Sequence, residues 1–160
     1  WRYHGEFLLA NQRIQNQAED FIQNGMPFMA KPVEVVKKIS IQEDVSTVML
    51  QLADIHADAV FVSVDDKELG WTIGPDWSMD CGQLEKGDHT IALKLIPSTF
   101  NTYGPHHHLD GDRHLTSPMQ YEGVKNFADH TYSPEHTLIE AWHFVKFGIG
   151  NTIKLYEMKE

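Results

Sequence analysis

The sequence predicts an all-β chain, an antiparallel β-sandwich of the jelly-roll kind, on two observations. Apolar residues recur with a period of two over much of the chain, and polar turn signals separate the alternating runs. That period is what half-buried strands require, because successive side chains point to opposite faces of a sheet. Several short strands divided by turns make sandwiches and jelly rolls.

The elements follow in order. Glu6–Ala10 reads as a strand, and Asn11–Ile22 as the one helix, since Ile14, Ala18 and Phe21 recur at three to four residues. Val33, Val35, Ile39 and Ile41 alternate around Lys37. In Val45–Ile55, Val48, Leu50 and Leu52 share one face, opposite Met49, Gln51 and Ala53. Val60, Val62 and Val64 alternate with Ala59, Phe61 and Ser63, and Ile91, Leu93 and Leu95 with Thr90, Ala92 and Lys94. Ile153 and Leu155 repeat the pattern, and Leu138–Gly148 is strand-like. Asp65-Asp66-Lys67, Gly74-Pro75-Asp76 and Glu85-Lys86-Gly87-Asp88 are turn signals.

At 160 residues the chain fits one domain, somewhat above the usual ~100–150. No repeat or Pro/Gly/Ser linker divides it, so one domain over residues 1–160 is expected, with 1–20 available as a connection to an upstream domain. The chain begins at Trp1 without an initiator Met, as a fragment or processed product would. No apolar stretch approaches the ~20 residues that span a membrane, and no signal peptide is visible.

A net charge of −10 argues against nucleic acid, whose phosphates require clustered Lys and Arg. An acidic surface suits neutral ligands such as sugars. The single cysteine, Cys81, excludes an intrachain disulfide and favours a cytoplasmic location. It reads as a small packed residue, because the sequence offers it neither a base nor an orienting group.

Residues 101–134 lack periodicity and hold Gly104, Pro105, Gly111, Pro118, Gly123 and Pro134. Long aperiodic segments inside compact domains are usually functional or form interfaces. Within this one, His106, His107, His108 and His114 lie beside Asp110 and Asp112. That set invites a metal reading, either transition metal at the histidines or calcium near Asp110 and Asp112. Neighbouring side chains of an extended chain diverge, however, and the later EF-hand ligands are missing, so a metal-free loop is the third reading. No other cofactor is implied.

Trp71 and Trp77, with Asp76 and Asp80 nearby, form a second constellation. Aromatic faces stack on sugar rings and carboxylates bind hydroxyls, whereas the plain alternative is that both tryptophans are core. No carboxylate pair, Gly-x-Ser-x-Gly elbow or Gly-x-Gly-x-x-Gly loop singles out a catalytic centre.

Several short segments, taken in order, resemble a known family. They are Gly25-Met26-Pro27-Phe28-Met29-Ala30, Val62–Gly70 with Gly74-Pro75, Gly87-Asp88-His89-Thr90-Ile91, Asn101-Thr102-Tyr103-Gly104-Pro105-His106-His107 and Phe144–Ile149. Over roughly residues 20–150 the chain is similar to the galactose-binding-like jelly-roll modules at the C-terminal end of bacterial glycoside hydrolases, of the β-galactosidase and α-L-rhamnosidase kind. Lys31 departs from the pattern, standing where Gly often closes the Pro-Phe turn. The resemblance implies an accessory domain that binds carbohydrate or packs on an upstream catalytic domain, with Asn101–His107 as a loop after a core strand. It transfers no catalytic residue.

The leading expectation is therefore a noncatalytic carbohydrate-binding or accessory domain of a glycoside hydrolase. Its ligand-binding candidates are Trp71, Asp76, Trp77, Tyr103, His106, His107, His108, Asp110 and Arg113. Two alternatives stand beside it: a purely structural brace, and a small cupin-like metal enzyme using His106–His114. The partners expected are carbohydrate and an upstream catalytic domain of the same chain, with neither nucleic acid nor membrane.

Overall fold

A computed structural model describes residues 18–104, 106, 142–150 and 153–158. Within them the chain runs β1 (Val33–Ile41), β2 (Val45–Leu52), β3 (Ile55–His56), β4 (Ala59–Val64), β5 (Lys67–Thr72), β6 (Ser78–Leu84), β7 (Gly87–Ile96), α1 (Phe100–Tyr103), β8 (Gly148–Ile149) and β9 (Ile153–Glu157). A four-stranded sheet in the order β1-β7-β4-β5 faces a three-stranded sheet in the order β6-β2-β9, and β3 pairs with β8. Every pairing is antiparallel. The predicted β-sandwich is the fold observed.

The period of two places the core. Val48, Leu50 and Leu52 of β2, Val60, Val62 and Val64 of β4, and Ile91, Leu93 and Leu95 of β7 are all buried in one cluster. Fully burying one such side chain is worth roughly 1.5–3 kcal/mol, so these three stripes hold the sheets together. Val33, Val35, Ile39 and Ile41 of β1 pack at the margin of the same cluster, since β1 is an edge strand.

Turn chemistry sets the connections. Val64 pairs with Lys67 across a two-residue hairpin, and Asp65 and Asp66 both have positive φ, at 49° and 64°. A type I′ hairpin needs positive φ at both central residues, and Asp tolerates that region better than most. The Glu85–Gly87 turn instead carries the chain from one sheet to the other.

Two expected elements differ. Residues 18–22, the described end of the expected helix Asn11–Ile22, form turns. The Asp20 carboxylate accepts the amides of Ile22 and Gln23 at 2.9 and 3.3 Å, and Gly25 at φ 90° closes the segment. Asp and Gly serve turns better than helix interiors, and Phe21 is drawn into the core. Glu6–Ala10 lies outside the described residues. The second difference is Leu138–Gly148, where only Gly148–Ile149 form a strand among the described residues. From 142 to 147 the chain finds its hydrogen bonds elsewhere: Phe147 O accepts from Phe21 N at 2.7 Å, and Val145 is paired by a side chain. Backbone groups must be satisfied, but not by a ladder.

Candidate functional site

A bulge decides where Trp71 points. Pairing of β4 with β5 begins Val64↔Lys67 and Ser63↔Glu68, then shifts by one residue to Val62↔Gly70 and Phe61↔Trp71. The extra residue, Leu69, packs against the core beside the turn. Without the shift Trp71 would oppose inward-facing Val60; with it Trp71 opposes Phe61 on the outer face and Thr72 is buried. Bulges re-aim side chains in this way.

Trp71 is 57% exposed and meets Phe61 with ring centroids 4.9 Å apart at 64°. The register extends across all four strands as Glu34↔Lys94↔Phe61↔Trp71, and Ile73, 64% exposed, follows the end of β5. The outer face of the larger sheet thus carries an aromatic pair flanked by one cation, one carboxylate and one aliphatic side chain. Phe61 was missed in the sequence because it reads as the outward member of a valine strand. Pairing it with Trp71 across the Asp65-Asp66 hairpin required knowing the bulge.

Trp77 occupies different ground. It is half-buried against the core margin, its carbonyl accepts from Leu52 N at 2.8 Å, and a Cβ on Gly74 would lie 3.3 Å from its ring. Asp76 is exposed in the same loop, where its carbonyl meets the Thr72 hydroxyl at 3.4 Å. Trp71 and Trp77 are therefore not one platform: the first lies on the outer face, the second on the core side.

A second aromatic group surrounds His106. Asn101, 0% exposed, donates its amide N–H to Val145 O and accepts from Val145 N, both at 2.8 Å. One side chain there replaces a strand neighbour. His143 N donates to His106 O at 2.8 Å, and His106 Nδ1 lies 2.9 Å from His143 O. Because a carbonyl only accepts, Nδ1 carries the hydrogen, an assignment from geometry. Phe28, Phe100, Trp142 and Phe144 ring His106, with centroids 4.9–5.8 Å away. Trp142 and Phe144, two apart on an extended segment, stack within 4° of parallel at 5.9 Å. Tyr103, at the end of α1, is strongly exposed.

Asn101–Tyr103, expected within a loop, belong to one helical turn after β7. His107, His108, Asp110, Asp112, Arg113 and His114 lie outside the described residues, as does the calcium or transition-metal reading built on them. Among the described residues no three His, Cys, Asp or Glu side chains converge as metal ligands. Cys81 is buried, and burial first of all pushes its thiol above the ordinary value, which leaves it a poor nucleophile. Two carboxylate–imidazole pairs escaped the sequence reading: Asp54 with His56 at 2.7 Å, and Asp65 with His89 at 2.5 Å. The hydrogen bond from His56 lowers the Asp54 carboxyl below its ordinary value.

The fold has a counterpart. A rhamnosidase from Novosphingobium sp. PP1Y contains a similar structure, with a TM-score of 0.56 and 17% identity over 86% of this chain. The chain spans 12% of the length of that enzyme, and at this identity the likeness is one of fold. No family model matches the sequence, and no curated protein does.

Proposed function

We propose that this chain is a noncatalytic accessory domain of a carbohydrate-active enzyme, galactose-binding-like in fold, that holds a sugar on the outer face of its four-stranded sheet. The observation that carries this reading is Trp71, a large aromatic turned outward by a bulge and braced by Phe61. The fold shared with one segment of a rhamnosidase supports the accessory role.

The geometry also limits the binding. Phe61 and Trp71 meet at 64°, so they form no coplanar platform, and one indole face can stack one pyranose ring. Lys94 and Glu34 stand in register beside the pair and supply hydrogen bonds to hydroxyls. One stacked ring with a few hydrogen bonds gives affinity near the millimolar end, about −4 kcal/mol. Calorimetric titration with oligosaccharides, followed by a glycan array, tests the reading. Measurable heat with wild type and its loss in a folded Trp71→Ala variant are expected. No heat with any oligosaccharide overturns it.

A second reading is a brace against a catalytic domain, and the His106 cluster favours it. Phe28 and Tyr103 are exposed hydrophobics beside that cluster, at the end of the sandwich opposite the polar turns. Their protection from hydroxyl-radical labelling in the longer protein, with no sugar heat from the domain, is the outcome that selects it.

A further inference from the structure

The geometry points to a protonation-dependent clasp at the polar end of the sandwich, in which the His89 imidazolium ties the β4–β5 turn to the β6–β7 turn. His89 continues the inward stripe of Ile91, Leu93 and Leu95, and its side chain is 12% exposed. Its Nδ1 lies 2.5 Å from Asp65 Oδ2, and its Nε2 lies 2.7 Å from Glu85 O. A carboxylate and a carbonyl only accept, so both bonds form only when both ring nitrogens carry hydrogen. A neutral ring must leave one of these acceptors facing a lone pair.

The partners are themselves fixed. Asp65 Oδ1 accepts Thr90 N at 2.7 Å, and Asp65 N donates to Thr90 O at 2.9 Å. In the β1–β2 turn, Asp44 Oδ1 accepts Lys86 N at 2.7 Å, which anchors the segment that presents Glu85 O. The charges on the surrounding elements are Asp65, Asp66 and Lys67 from the β4–β5 turn, Glu85 and Lys86 from the β6–β7 turn, Glu43 and Asp44 from the β1–β2 turn, Asp88 on β7 and Lys38 on β1, where Ile39 pairs with His89. Six acids against three lysines leave the local field favouring the cation.

The electrostatics agree with the geometry. The Asp65 bond, then the Glu85 carbonyl, raise His89 above its ordinary value, and the same imidazole lowers Asp65. A raised histidine contributes stability that is complete below its unfolded value of about 6.5 and lost as pH rises through the folded value. A lowered Asp contributes stability above about 3.9 that is lost as pH falls through its folded value. The clasp is therefore complete in mildly acidic medium and opens on the alkaline side. It is independent of any sugar binding.

Two measurements on the full chain test this. Imidazole NMR titration is expected to give His89 a midpoint above about 6.5, falling in Asp65→Asn. Thermal melts from pH 5.5 to 9 are expected to show a decline in Tm with rising pH that is shallower in His89→Gln. A His89 midpoint at or below 6.5, or one unmoved by Asp65→Asn, overturns the clasp even if His89→Gln fails to fold. An unchanged pH slope in a folded His89→Gln overturns it as well.

Discussion

The two ends of this sandwich are built from different materials. At one end the turns after β1, β4 and β6 are stitched by carboxylates: Asp44 to Lys86, and Asp65 to both Thr90 and His89. At the other, Phe28, Phe100, Trp142 and Phe144 meet around His106, a buried asparagine holds the Val145 backbone, and Trp71 stands on the adjoining sheet face. Apart from the largely buried His89, the polar end forms from exposed groups whose bonds are individually modest. The aromatic end rests on a few buried contacts between residues about forty positions apart. Damage should therefore be graded at the first end and abrupt at the second.

Asn101→Ala offers the strongest test of that contrast. It strands the N–H and the C=O of Val145, and each orphaned buried group costs about 1–3 kcal/mol. Urea unfolding should show a loss of several kcal/mol; a loss as small as that of a surface variant would show the asparagine clamp to be dispensable. Gly148→Ala comes next, because its Cβ would lie 2.3 Å from Ala18 O, a backbone atom that cannot swing aside. Overpacking of this kind costs typically about 1–3 kcal/mol, read as a lowered denaturant midpoint.

At the polar end, Asp44→Ala should cost only about 0.5–1.5 kcal/mol, one exposed hydrogen bond. Combined with Asn101→Ala it should be additive within about 0.3–0.5 kcal/mol, since the two sites share no partner. Coupling beyond that range would mean the ends are not independent. Trp71→Ala is expected to change stability least, by about 0.2–1 kcal/mol for one cross-strand pair, while removing the sugar heat. Its melting curve and its titration should thus disagree, as they should for a binding residue that is not core.

Legibility in the sequence followed the same division. The turns of the polar end could be read, because Asp65-Asp66-Lys67 and Glu85-Lys86-Gly87-Asp88 act through local turn preferences that neighbours in sequence declare. The bonds that stitch those turns together could not, because they join residues 24 to 42 positions apart. The three core stripes could be read too, since burial on one face writes a period of two. Leu138–Gly148 could not, because its backbone partners are Asn101, His106 and Phe21, which no window on that segment contains. The end of Asn11–Ile22 was misread for a related reason. Helical spacing of Ala18 and Phe21 gave way to the Asp20 turn once Phe21 had a core to enter.

The tryptophans mark the boundary most clearly. Alternation and turn chemistry by themselves determined an antiparallel sandwich and named Trp71 and Trp77 as aromatic candidates. Nothing in that pattern separates them, because the face of a strand residue depends on register, and register is a property of two strands. One bulge at Leu69 turned Trp71 outward beside Phe61, and the return to the second sheet laid Trp77 against the core. A single inserted residue inverts every side chain beyond it, so that choice belonged to the tertiary structure.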